Sequence, residues 1–130
     1  MIAFTNVRIF DGESSELSTG TVVVHGDRIA SVGPAPAPAG ADVVDGGGRT
    51  LMPGMIDAHI HAYAMDVNVQ RIMEAPPTLL AHWASGMLKH MLDRGFTTVR
   101  DTGGADYGLY LAIERGLIEA PRGSSTAKRP

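Results

Sequence analysis

The sequence predicts an α/β protein: a β-rich N-terminal segment followed by alternating strands and helices. Three observations carry this. Residues 2–52 show period-two apolar stretches separated by Gly, Asp and Ser turns. Pro53-Gly54 then punctuates the chain. From Met55 the order reads strand, loop, helix, strand, loop, helix, the alternation of a parallel βα architecture.

The N-terminal elements follow in order. "IAFTNVRIF" places Ile2 and Phe4 in one alternating phase and Val7 and Ile9 in the other, so a bulge or turn is expected near Asn6. "DGESSELSTG" is turn chemistry. "TVVVHGDRIASVG" reads as two strands around a tight Gly26-Asp27 turn. "PAPAPAG" is a stiff connector, and short strands are expected at Asp42–Val44 and Thr50–Met52.

Beyond Pro53, "MIDAHIH" is strand-like. Met55 and Ile56 make its approach apolar, as for a parallel strand buried on both faces. The stretch 78–94 has helical period: Leu80, Ala84, Met87, Leu88 and Met91 share a face, Thr78 is the expected N-cap and Gly95 the stop. "FTTVRD" is a strand ending at Asp101, "TGGAD" a loop, and "YGLYLAIERG" a second helix. The polar tail lacks periodicity. The expected organisation is therefore a β segment over 1–52, βα units over 53–122 and a disordered tail over 123–130.

Composition limits the chemistry. With 11 basic and 14 acidic residues and net charge −3, there is no basic patch to suggest nucleic-acid binding. With no cysteine, thiolate metal sites and disulfides are excluded, so a metal would need His and carboxylate ligands. Neither a signal-peptide pattern nor a run of roughly 18 apolar residues occurs, so no membrane partner and a cytoplasmic location are the expectations.

The candidate site is "DAHIH". In a strand, residues i and i+2 share a face, about 7 Å apart at a rise near 3.3 Å per residue. Two nitrogens on one tetrahedral zinc lie roughly 3.3 Å apart, given bonds of about 2.0–2.1 Å. Imidazoles at His59 and His61 that lean together would make a two-point chelate. Asp57 shares their parity and is expected to face the same cavity, orienting a ligand or contacting the metal shell. Asp101 ends the next strand. It is expected at the mouth of the site, supporting it or touching substrate, or else starting the loop as an Asx-turn residue. Arg100, of opposite parity, is expected to pack outward against a helix. His25 lies at a hairpin turn, His82 lies opposite the apolar helical face and His90 flanks it, so all three are expected in solvent. An isolated H-x-H also occurs on solvated strands, so context must decide.

That context is a resemblance. "LMPGMIDAHIHAY" is similar to the amidohydrolase superfamily signature P-G-x-I-D-x-H-x-H, which closes the first barrel strand. "VRIFDG" and "GDRIASVG" resemble the β segments that precede the barrel. "GFTTVRDTGG" resembles the second strand and its loop, and "AIERGLIEAPR" the helix that follows, in the branch with imidazolonepropionase-like and dipeptidase-like members. The resemblance implies a (β/α)8 barrel, of TIM type, with an appended β-sandwich, here represented by the sandwich segment and the first two βα units of an incomplete barrel. It implies one or two divalent ions, usually zinc, held in part by His59 and His61. These activate water against carbon–nitrogen bonds of cyclic amides or small dipeptides. The family completes its site from later strands with a carboxylated lysine or a glutamate, two more histidines and an aspartate that is also the general base. The resemblance stops near Arg122, where "GSSTAKRP" replaces an apolar third strand. A truncated product, a fragment or an altered reading frame would each explain this, and the chain alone is expected to be inactive. The alternative is a non-catalytic metal-binding or assembly fragment that needs a partner to complete the barrel. In that alternative, self-association through unpaired strand edges is expected.

Overall fold

The computed structural model describes residues 1–125. It is mixed α/β and divides into two units, Met1–Pro53 and Gly54–Pro130.

The first unit is a sheet of five strands, β1 (Ile2–Ile9), β2 (Ser18–His25), β3 (Arg28–Gly33), β4 (Asp42–Asp45) and β5 (Thr50–Leu51). The order is β3-β2-β1-β4, with β5 also paired to β1. β1, β2 and β3 are antiparallel neighbours, whereas β4 and β5 run parallel to β1. The expected irregularity in β1 is present. The β1–β2 register shifts between Phe4 and Val7, and Asn6 adopts φ 51°. Asn is one of the few side chains that tolerate this left-handed geometry. The extra residue returns the apolar phase to one face, so Phe4, Val7 and Ile9 join Val22 and Leu51 in one cluster. The β2–β3 hairpin turns on Gly26 and Asp27, with Gly26 at φ 62°.

The second unit holds β6 (Met55–Ile60), α1 (Val69–Glu74), α2 (Pro77–Asp93), β7 (Phe96–Asp101), α3 (Tyr107–Glu114) and β8 (Arg122–Ser125). Its strands are parallel, in the order β6-β7-β8. The core lies between this sheet and its helices: Ile60, Ala62, Ala84, Leu88, Val99 and Leu109, with Met87 and Met91 packed against them.

Several expectations are corrected. α2 starts one residue earlier than Thr78. Its N-cap is Pro76, which makes no side-chain cap bond, and Pro77 occupies the first turn, where a missing N–H costs nothing. Gly95, at φ 92°, ends the helix as expected, its N–H donating to Leu92 O at 2.9 Å. α1 has six residues, none of them buried, so no apolar period marks it. Its signal is Asn68, whose Oδ1 accepts from Gln70 N at 3.0 Å and Arg71 N at 3.4 Å. A disordered tail from 123 is overturned for residues 123–125. These pair in β8 with β7, Thr98 opposite Arg122 and Asp101 opposite Ser125. Backbone pairing needs no apolar side chains, so the polar sequence concealed it. The remainder of that tail, 126–130, lies outside the described residues. Two-sided burial of β6 is also not found. Ile60 is buried, but Ile56 is 70% exposed, because the helices cover one face of the sheet only.

Pro53-Gly54 leads into β6 under a steric constraint. A Cβ at Gly54 would overlap the Thr97 side chain of β7, including its Cβ. Gly54→Ala is expected to destabilise the second unit by about 1–3 kcal/mol. Urea unfolding followed by fluorescence of Trp83, the one tryptophan of the chain, checks this.

Candidate functional site

The site forms where β6 ends. Ile60 faces the helical core, so His59, one residue earlier, lies on the uncovered face of the sheet. The His59 and His61 rings approach with centroids 5.2 Å apart and planes at 74°. Both are exposed.

The loop after β7 holds one of these rings. His61 Nδ1 lies 2.8 Å from the Gly103 carbonyl oxygen. A carbonyl can only accept, so Nδ1 carries the hydrogen and donates it. In the neutral ring this leaves the Nε2 lone pair free. Such a carbonyl contact is the usual support of a metal-ligating histidine. Gly103 falls in the loop "TGGAD", and no local sequence signal reveals the role of its carbonyl.

Asp101 does not open onto the mouth. It is 5% exposed. Its Oδ2 accepts from Ala62 N at 2.7 Å and its Oδ1 from Gly103 N at 2.8 Å, the second bond closing an Asx turn. Its parity matches Val99, which lies in the helical core. The same parity corrects Arg100: it is exposed and lies on the face away from the helices.

Asp57 accepts the His59 N–H on Oδ1 at 3.1 Å. It stands opposite Val99, and the β6–β7 register shifts between Asp57 and Ile60. That irregularity interrupts the period-two argument that placed Asp57 on the histidines' face. Among the described residues, no group of three His, Cys, Asp or Glu side chains converges to hold an ion. His25, His82 and His90 are exposed and lie on other elements.

Tyr63 adds a second tie between the same loops. Its O–H donates to Asp106 Oδ1 at 3.0 Å, and that oxygen also accepts Leu109 N at 2.9 Å as the N-cap of α3. Burial, with the Asp106 bond second, pushes the Tyr63 hydroxyl up to about 12, so it stays protonated and donating at neutral pH.

The amidohydrolase family model matches residues 50–124, more than half of the chain, and the chain belongs to that family. An imidazolonepropionase of Cutibacterium acnes is 34% identical over 124 residues, covering 78% of this chain and 31% of its own length. One from an Arthrobacter species is 48% identical over 52 residues, 39% of this chain and 13% of its own. Among solved structures, a prolidase complexed with N-methylphosphonate-L-proline superposes with a TM-score of 0.88 at 37% identity, covering 98% of this chain and 32% of that one. A Xaa-Pro dipeptidase with bound methionine shares the fold, with a TM-score of 0.82 at 24% identity, covering 98% of this chain and 33% of that one. The chain thus spans a third or less of the length of these relatives. Among the described residues, no helix is long and apolar enough to cross a membrane.

Proposed function

We infer that this chain forms part of a metal-dependent amidohydrolase acting on carbon–nitrogen bonds other than those of ordinary peptides. Cyclic amides and small dipeptides are the substrate classes, in keeping with the imidazolonepropionase and prolidase relatives. The parallel strands β6, β7 and β8 would be the first three of a (β/α)8 barrel, and the five-stranded unit one layer of a β-sandwich. Unpaired strand edges favour self-association until such a barrel is closed.

The observation that carries this reading is the Gly103 carbonyl on His61 Nδ1. It supports a ring held with Nε2 ready to bind a divalent ion, beside His59. Zinc fits imidazole donors and a site free of thiolates. When bound, the ion supplies water activation and polarisation of the scissile carbonyl. His59 and His61 would hold it, the Gly103 carbonyl would fix the His61 tautomer, and Asp57 would brace His59 through its backbone N–H. A catalytic zinc site has three protein ligands, so groups beyond these two histidines must complete it. By itself the chain is therefore inactive in this reading.

The test is a chimera in which residues 1–125 replace the matching segment of the prolidase relative. Turnover of dipeptides or lactams that disappears on chelation, and on His59→Asn, is expected. The unfused chain is expected to show none. A folded, zinc-loaded chimera without activity on the whole panel overturns the reading.

A further inference from the structure

We propose that Asp101 is the positioning residue of His61, acting through the backbone of Gly103 and Ala62. This deepens the reading above and rests on His61 being a ligand. A single buried carboxylate accepts from two N–H groups that bracket the ring. Ala62 N, at 2.7 Å, belongs to the residue directly after His61. Gly103 N, at 2.8 Å, belongs to the residue whose carbonyl takes the His61 Nδ1 hydrogen at 2.8 Å. The four residues close a ring of contacts: Ala62 to Asp101, Asp101 to Gly103, Gly103 to His61, and His61 to Ala62 through the chain. The Gly103 N–H and C=O lie in different peptide planes, so Asp101 acts by placing the carbonyl rather than by polarising it.

The strand ends alone would not fix this geometry. Thr102 N donates to Ile60 O at 3.0 Å, which aligns β6 with the start of the loop. Past that bond, Gly103 is held on its N–H side by Asp101. A carboxylate is suited to the position because it offers acceptors only, and both partners are donors. An asparagine would turn its NH2 towards one of the two N–H groups and could serve only the other.

The experiment reads the tautomer of His61 without metal or substrate. Long-range 1H–15N correlation spectra of the 130-residue chain are recorded at a pH where the imidazoles are neutral. The wild-type chain is expected to show His61 as the Nδ1–H form. In Asp101→Asn, the ratio of Nδ1–H to Nε2–H is expected to fall about fivefold, the worth of one neutral hydrogen bond. A folded Asp101→Asn chain with the wild-type ratio overturns the proposal and leaves His61 as a ligand. A wild-type chain with the Nε2–H form instead overturns the site reading itself, and the proposal with it. Should the variant not fold, couplings across the hydrogen bonds from the Ala62 and Gly103 nitrogens to the Asp101 carboxyl carbon in the wild-type chain decide. Their presence supports the link, and their absence overturns it.

Discussion

Replacing His61 with asparagine is expected to weaken Zn2+ binding to the chain about 100-fold, the usual loss when a two-point attachment becomes a one-point attachment. The expectation rests on the His59–His61 approach, with ring centroids 5.2 Å apart. Once one imidazole has bound, the other meets the ion at high effective concentration, and deleting either removes that advantage. His59→Asn should therefore cost as much as His61→Asn, and the double variant little more than either. His25→Asn, His82→Asn and His90→Asn serve as controls, since these side chains are exposed on a hairpin and on α2. Isothermal calorimetry with Zn2+ alone measures all of them. Equal losses from His82→Asn and His61→Asn would mean that binding is scattered over surface histidines, and the proposed centre would be abandoned.

Leu88→Ala is expected to destabilise the second unit by about 2–5 kcal/mol, the range for a buried leucine truncated where the surroundings cannot collapse. Leu88 is 1% exposed and meets Ile60, Ala84, Val99 and Leu109 in the layer between sheet and helices. Its loss would leave a void under the strand that ends in the histidine pair, so metal affinity should fall together with stability. Trp83 lies on the same helix, and its fluorescence in a urea titration reports this unit directly. Met87→Leu, a swap of similar volume at the edge of the cluster, should cost less than about 1.5 kcal/mol. A loss below that figure for Leu88→Ala would show that α2 is not anchored on the sheet as described.

These two predictions draw on different parts of the sequence. The helical period of 78–94 placed Ala84 and Leu88 on the buried face, because that period is a local property of the chain. The alternation in "DAHIH" put His59 and His61 side by side, and it holds at this end of the stretch, where Ile60 and Ala62 are buried in turn, whereas the register shift interrupts it at Asp57. The switch from an N-terminal β unit to βα alternation at Pro53 was equally readable, from turn residues and period alone. The bulge at Asn6 could also be read, as a phase slip between Phe4 and Val7.

Other features depended on contacts that no local pattern encodes. β8 is polar, and only pairing with β7 makes it a strand. The exposed face of Ile56 follows from helices lying on one side of the sheet, which an apolar run cannot report. Asp101 and Asp57 were both expected from sequence to face the site, one as the last residue of its strand and the other by parity with the histidines. A register shift on β6 and two backbone donors, 39 residues away and two residues away, gave them different surroundings. By itself the sequence determined the elements other than α1 and β8, the switch of architecture at Pro53 and the spacing of the two imidazoles, because each arises from short-range periodicity and turn chemistry. The tertiary structure alone decided which His61 nitrogen is free and what Asp101 holds, because both depend on hydrogen bonds between strand ends about 40 residues apart in the chain.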